Sequence, residues 1–321
     1  MNRSRLVNLA GVVIGVAGVA FVGVRIWRDR EAIGDAFQSV TPVWLVVGLV
    51  SGWLAMGLIG VAWLWIMRSG GDDVDRRRGM AWFFAGQLGK YVPGGIWPIV
   101  GQAELAHRGG VARRAAYSST AWSMIGTFVG AAVVGAFTGL AVDGTTRWIS
   151  AAIGAGVALA AVLVATPVTR GSGERLAARV TRRTVRLPAS PWLGALVGRH
   201  LPVWVCFAGM NVFAVAALGV DLDLRLAVQL IAATCLSWMA GFVIIGLPGG
   251  LGVRETVFVS IATAPLGSAV ALSAAVVSRV LSIVVDLSAA AISTAVARRA
   301  RPATADGGRR EGPDPDRYAA P

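Results

Sequence analysis

Long apolar segments separated by short basic segments dominate the sequence. Residues 268–297 form one such segment, although it carries Arg279 and Asp286, and six others contain no charge: 6–24, 43–67, 115–142, 148–168, 201–220 and 226–247. An apolar run of about 18 residues or more is long enough to cross a bilayer as a helix. The pattern therefore predicts an all-α fold, a polytopic membrane helix bundle.

Two further apolar segments, 79–106 and 246–266, are broken by the same motif. The first contains Pro93, Gly94 and Gly95, and the second contains Pro248, Gly249 and Gly250. Proline removes a backbone donor and glycine tolerates positive φ, so a helix is expected to break at each motif. Broken backbone at membrane depth must be buried in protein or line a wet cavity, whereas loops at the membrane surface are the alternative.

The two motifs lie in different halves of the chain. Paired, broken apolar segments in corresponding halves are typical of transporters built from internal repeats. We therefore expect broken or re-entrant segments, and an inverted repeat is our hypothesis. The segment 256–266 is too short to cross the membrane alone if it stands upright.

The balance of charge predicts the topology. The chain has 30 Lys and Arg against 17 Asp and Glu, a net charge of +13. In a soluble protein this excess would indicate nucleic-acid binding, but here the basic residues lie between apolar segments, and we expect no nucleic-acid partner. Placing both termini in the cytoplasm puts most of them on the inside. An even number of crossings, about eight, follows if 256–266 crosses, whereas a re-entrant 256–266 would move the C-terminus to the other side.

The domain organisation is simple. Residues 1–298 are predicted to form a single transmembrane domain in the cytoplasmic (inner) membrane. Residues 299–321 are rich in Pro, Gly and charge, and we expect them to form a disordered cytoplasmic tail.

Charged residues near the breaks are the candidates for chemistry. A charge at the centre of a membrane helix costs about 2.5–3.5 kcal/mol on insertion scales. Lys90 and Glu104 flank the first motif, and Arg254 and Glu255 follow the second. Free backbone N–H groups beside Lys90 and Arg254 suit an anion such as a phosphate headgroup. Alternatively, both cations only mark the membrane interface and extend toward water.

The last apolar segment carries two charges on one helix face. Arg279 and Asp286 are two turns apart, about 10 Å along the axis, which is too far for contact. Each therefore needs a partner elsewhere, and we expect Glu255 to pair with Arg279. We interpret Asp286 as half of a structural ion pair, and for Arg279 a position on the substrate path stays open.

Catalytic and cofactor motifs are absent from the sequence. It contains no G-x-S-x-G, H-E-x-x-H or Walker A pattern. Cys206 and Cys235 lie in apolar segments, and His107 and His200 form no cluster with metal-ligand spacing. We predict no enzymatic activity, no cofactor and no metal.

The motifs resemble a known family. Residues 87–111, 246–255 and the SRVLS segment at 278–282 resemble the lysylphosphatidylglycerol synthase transmembrane region, or flippase-like, family, over roughly 6–298. The resemblance implies a polytopic inner-membrane protein. Some members are fused to a cytosolic aminoacyl-transferase domain, and others stand alone in cell-envelope glycan or glycolipid pathways.

The sequence after residue 298 does not resemble a transferase domain, so the resemblance implies binding or translocation of an anionic lipid only. Lys90, Arg254 and Glu255 would belong to its headgroup region. The complete predicted substrate site consists of Lys90, Tyr91, Pro93, Gly94, Gly95, Glu104, Pro248, Gly249, Gly250, Arg254, Glu255 and Arg279.

The leading functional hypothesis is a flippase-like protein that moves a phospholipid or an isoprenoid-linked lipid across the cytoplasmic membrane. Without a nucleotide motif, movement would run downhill or use an ion gradient, with Glu104, Glu255 and Asp286 as available proton carriers. One alternative is a membrane scaffold or partner subunit for a separate lipid aminoacyl- or glycosyltransferase. A membrane-bound enzyme acting on lipid or polyprenyl phosphate is a third reading. The expected partners are anionic membrane lipids and, in the scaffold reading, a transferase.

Overall fold

The described part of the chain is a bundle of helices. The computed structural model describes residues 40–91, 96–165, 189–243 and 252–299, with Trp27, Glu31 and Gly250 as isolated positions. Within these residues there is no strand. The α-helices are α1 (Pro42–Ser69), α2 (Arg76–Gln87), α3 (Trp97–Arg108), α4 (Arg113–Gly139), α5 (Thr145–Ala165), α6 (Ser190–Ala217), α7 (Leu224–Val243), α8 (Val253–Leu266) and α9 (Ser268–Arg299). A 3-10 turn at Leu88–Tyr91 follows α2.

The helices confirm the prediction of a polytopic membrane bundle. Five of them, α1, α4, α6, α7 and α9, are long and apolar enough to cross a membrane. Helix α1 has 28 residues, or about 42 Å at 1.5 Å per residue, against about 30 Å for the hydrocarbon core. Helix α5 covers most of the predicted span 148–168. The predicted first span, 6–24, and the predicted tail lie outside the described residues.

Helix α6 begins earlier than the predicted span at 201–220. It starts at Ser190, so that Arg199, His200 and Pro202 all lie inside it. The sequence boundary followed the charge of Arg199, but that guanidinium lies over the Trp65 ring at 4.0 Å and donates to the Ala195 carbonyl. A cation held in this way does not end a helix.

The first broken segment supplies both arms of a helical hairpin, and the second supplies one arm of another. Residues 79–106 become α2, the 3-10 turn and α3, and α2 packs along α3. In the second half α7 packs along α8 in the same manner. Helix α8 has 14 residues, or about 21 Å, and is too short to cross the membrane upright.

The contacts between helices have the pattern of an internal twofold repeat. The Pro-Gly-Gly motifs start at Pro93 and Pro248, and the helices that follow the hairpins start at Arg113 and Ser268, so both pairs share one offset of 155 residues (248 − 93 and 268 − 113). Helices α1, α2, α3 and α4 correspond in order to α6, α7, α8 and α9, and each major contact in this set has an equivalent. The contact of α2 with α9 corresponds to that of α7 with α4. Likewise, α1 with α4 corresponds to α6 with α9, and α1 with α9 corresponds to α6 with α4. Inversion of the two units across the membrane stays a prediction.

Small residues allow α1 and α6 to pack closely at the centre of the bundle. A Cβ on Gly52 would lie 2.8 Å from Cγ2 of Val285 and 2.9 Å from the sulfur of Met210. Ser51 Oγ also donates a hydrogen bond of 2.7 Å to the Cys206 carbonyl of α6. Close backbone approach through small residues is the usual way in which membrane helices associate.

We expect Gly86→Ala to destabilise the first hairpin. A Cβ at this position would lie 2.5 Å from the backbone N of Gln102, and backbone atoms cannot move aside cheaply. Overpacking of this kind costs about 1–3 kcal/mol. Thermal unfolding in detergent should show a lower Tm for Gly86→Ala than for Gly57→Ala, whose Cβ meets nothing within 4 Å. Equal Tm values would contradict the close contact between α2 and α3.

Candidate functional site

An ion pair with a buried carboxylate and a partly exposed lysine joins the first hairpin to the last helix. Lys90 Nζ lies 2.6 Å from Asp286 Oδ2, and the Tyr91 hydroxyl donates to the same oxygen at 2.6 Å. Asp286 is only 3% exposed. Two donors on one carboxylate offset much of the cost of its burial. Asp286 is therefore half of an ion pair, as expected, and its partner is a predicted site residue.

The second hairpin contributes a second ion pair. Arg279 Nη1 lies 3.6 Å from Glu255 Oε1, which confirms the expected pairing. The other carboxylate oxygen of Glu255 accepts the backbone N–H of Gly252 at 2.8 Å. Glu255 thus closes the first turn of α8, where a carboxylate is favoured by the unpaired N–H groups.

Glycines shape the approach to α8. Gly250 and Gly252 have φ values of +70° and +83°, in the left-handed region that favours glycine. A Cβ on Gly250 would lie 3.0 Å from Cα of Gly241 at the end of α7. The second motif therefore uses its last glycine both to turn the chain and to let two backbones meet.

Arg254 occupies the space between the two ion pairs and the aromatic core. Its guanidinium carbon lies 5.1 Å from the centre of the Phe207 ring, a cation–π contact. Its charge is close enough to Lys90 and Arg279 to be repelled by both, and it is attracted by Glu255 and Asp286 without a direct ion pair. Among the residues that the structure describes, Arg254 forms no ion pair with a carboxylate.

A small polar cavity lies against these charges. Its volume is about 20 Å³, enough for a water molecule but not for a lipid headgroup. It lies between α6, α7, α8 and α9, and its lining is Asn211, Thr234, Ser237, Arg254, Glu255, Phe258, Ala275, Ser278, Arg279 and Ser282. The hydroxyl groups of Thr234, Ser237, Ser278 and Ser282 donate to their own helices, so their oxygen lone pairs remain available as acceptors.

The cluster carries an excess of positive charge. Lys90, Arg254 and Arg279 supply three cations, whereas Glu255 and Asp286 supply two carboxylates. With Tyr91 as an additional donor, the arrangement can accept one more anion without leaving a cation unpaired.

Most predicted site residues within the described part of the chain come together. Lys90, Tyr91, Gly250, Arg254, Glu255 and Arg279 all belong to this cluster or the turn beside it. The motif residues Pro93, Gly94, Gly95, Pro248 and Gly249 lie outside the described residues.

Glu104 forms a separate cluster at the surface. It pairs with Arg108 at 3.2 Å and with Arg113 at 3.0 Å, and both arginines are largely exposed. Hydrogen bonds from Arg113 and Arg108 lower the pKa of Glu104 below its ordinary value. Its neighbour His107 contacts the Val111 carbonyl through Nδ1 at 3.1 Å. Glu104 therefore stabilises the end of α3, and the structure does not bring it to the Lys90 cluster.

Sequence reasoning missed the polar helix positions that line the cavity. Asn211, Thr234 and Ser237 are isolated in apolar helices, and nothing in their local sequence marks them as a group. A signal was present on α9, because Ser278, Ser282 and Asp286 share the spacing of one helix face. Asp286 was assigned to a structural pair, and its contact with Lys90 and Tyr91 places it beside the site.

Comparison with known proteins identifies the family. The family described as Lysylphosphatidylglycerol synthase TM region matches residues 8–290. The chain belongs to this family. The match includes both hairpins and all the residues of the charged cluster, as expected from the resemblance. Comparison with curated proteins gave no match.

The described residues of this lysylphosphatidylglycerol synthase TM region protein contain no group of three His, Cys, Asp or Glu side chains that could hold a metal ion. The polar groups near the cavity are instead cations, hydroxyls and two paired carboxylates. Such a set suits an anionic organic group more than a metal.

We expect Asp286→Asn to destabilise the protein strongly, because it leaves Lys90 charged and without its carboxylate. Removing one partner of a fully buried pair costs about 3–5 kcal/mol, and we expect a smaller loss here because the Lys90 side chain is 31% exposed. The double variant Lys90→Met/Asp286→Leu should recover much of this loss, as measured by thermal unfolding. Glu104→Gln, which opens an exposed pair, is the control and should have a smaller effect. An equal loss in Asp286→Asn and Glu104→Gln would contradict the assignment.

Proposed function

We propose that this protein is a flippase-like transporter that binds an anionic lipid, a phospholipid or an isoprenoid-linked lipid, and moves it across the cytoplasmic membrane. The observation that carries the proposal is Arg254, which lies in a bundle of apolar helices without a carboxylate partner among the described residues. Membership of a family named for lysylphosphatidylglycerol synthesis supports a lipid-related function.

The chemistry of the cluster favours a phosphate. A guanidinium presents several N–H donors in a planar fork that matches two phosphate oxygens, and Lys90 adds a mobile point charge. A phosphate bound between Arg254 and Lys90 would also remove the repulsion between these two cations. The hydroxyl groups of Ser278, Ser282 and Thr234 offer further polar contacts for the headgroup.

Transport requires the cluster to open. The cavity holds about 20 Å³, so a headgroup enters only after α2, the 3-10 turn and α9 separate. Lys90 and Asp286 join these elements, and an incoming phosphate would compete with Asp286 for Lys90. The ion pair would then break when an anionic substrate binds Lys90 and form again after the substrate leaves.

The coupling and topology of the transporter are part of the proposal. No nucleotide motif occurs in the sequence, so movement runs down a lipid gradient or is driven by ions, with Glu255 and Asp286 as proton carriers. Both termini face the cytoplasm, as the distribution of basic residues favours. The protein itself catalyses no covalent step and needs no cofactor.

We expect Arg254→Ala to abolish lipid transport without unfolding the protein. Purified protein in liposomes would be assayed for movement of fluorescent phosphatidylglycerol, phosphatidylcholine and a polyprenyl phosphate. Loss of the guanidinium should reduce movement of the anionic lipids to the rate of protein-free liposomes. Arg254→Lys, which keeps the charge but not the fork, should retain part of the activity.

The matched control is Arg114→Ala, because Arg114 is exposed in the first turn of α4 and does not line the cavity. It should transport at the wild-type rate. Wild-type transport by Arg254→Ala would remove this residue from the site. If the folded wild-type protein moves no lipid, the partner-subunit alternative gains weight, and affinity purification should then recover a lipid aminoacyl- or glycosyltransferase.

A further inference from the structure

A second feature lies on another side of the bundle, between α1, α2 and α9. It is a groove with a volume of about 440 Å³, within the usual range of small-molecule sites. The lining of this lateral groove is Trp53, Arg76, Arg77, Met80, Phe84, Ala289, Ile292, Ser293 and Val296. None of these residues lines the cavity beside Arg254.

The walls of the lateral groove are apolar and face outward. Trp53, Ile292 and Val296 are 39%, 56% and 42% exposed, which in a membrane bundle means contact with lipid chains. The indole Nε1 of Trp53 donates to Ser288 Oγ at 2.9 Å, so its polar atom is satisfied and its ring can contact a hydrocarbon chain. Met80 and Phe84 form the opposite wall, one turn apart on α2.

One end of the lateral groove is lined by two arginines. Arg76 and Arg77 begin α2, and Asp75 before them caps the helix by accepting the Arg78 backbone N–H at 3.0 Å. Cations oppose the partial positive charge at a helix N-terminus, and the Asp75 cap offsets this cost in part. Among the described residues, neither Arg76 nor Arg77 takes part in an ion pair. A bound anion at this end would remove the mutual repulsion of the arginines.

A ligand that matches both ends has an anionic headgroup and an alkyl chain. We propose that the lateral groove binds one anionic phospholipid, with its phosphate on Arg76 and Arg77 and one acyl chain between α2 and α9. Helix α9 thus serves two sites, because Arg279 lines the inner cavity and Val296 lines the groove. The groove site does not depend on the transport proposed above, and its occupant is a resident lipid that supports the contact between α2 and α9.

Native mass spectrometry of the full chain in mild detergent tests the headgroup contact. With phosphatidylglycerol and phosphatidylcholine added at equal concentration, the wild-type protein should retain phosphatidylglycerol preferentially. Arg76→Gln/Arg77→Gln should weaken retention of phosphatidylglycerol about tenfold or more and leave phosphatidylcholine unchanged. The matched control is Arg298→Gln/Arg299→Gln, which removes two exposed cations from the end of α9 without changing the groove lining, and it should behave as wild type.

A second arm of the experiment tests the acyl chain. Ser293→Phe should fill the lateral groove and weaken retention of phosphatidylglycerol, and the smaller change Ala289→Val should do so less, with Tm confirming that each variant is folded. Glycerol phosphate, which has the headgroup chemistry but no chains, should not compete. Arg254→Ala should keep the bound phospholipid even where transport is lost, so failure of one proposal is distinguishable from failure of the other.

Three results would overturn the lateral groove as a phospholipid site. The first is unchanged retention in Arg76→Gln/Arg77→Gln, or an equal loss in the control pair. The second is effective competition by glycerol phosphate, which would indicate a site for free anions. The third is full retention in folded Ser293→Phe, which would show that the acyl chain lies elsewhere and that another occupant, such as the segment before residue 40, fills the groove.

Discussion

The cost of burying charge in an apolar bundle governs the arrangement of this protein. Asp286 is almost completely buried, and a carboxylate in that position is stable only with donors directed at it. Those donors, Lys90 and Tyr91, come from the turn that ends α2. The first hairpin is thereby attached to the last helix, and the cavity beside Arg254 lies against a contact between the two halves.

The scaffold is nearly symmetric, whereas its charges are not. The two Pro-Gly-Gly motifs are 155 residues apart in sequence. With that offset, Arg254 and Glu255 correspond to Ile99 and Val100, and Asp286 corresponds to Ala131. The internal repeat therefore supplies a pair of broken hairpins, and the second unit supplies most of the polar groups. One charged cluster results instead of two, because the equivalent positions of the first unit are apolar and pack as ordinary bundle residues.

The inner cavity and the lateral groove differ in size and in how open they are. The inner cavity is polar and only about 20 Å³ in volume, so entry of a headgroup depends on movement of helices. The lateral groove is wider and more open, and its lining includes the exposed Arg76 and Arg77. Both sites contain arginine, whose planar guanidinium matches phosphate oxygens, and this match underlies both proposals.

The sequence alone determined the class of the protein, since the length of apolar runs and the Pro-Gly-Gly breaks act locally along each helix. The sequence also indicated that Arg279 needs a partner other than Asp286 and offered Glu255, because a buried cation needs a carboxylate. Only the tertiary structure decided the partner of Asp286, which is 195 residues from Tyr91 in sequence. It also separated Glu104 from the cluster and brought Trp53, Arg76 and Val296 to one groove. No periodicity relates side chains on different helices, so such contacts depend on how the helices pack in three dimensions.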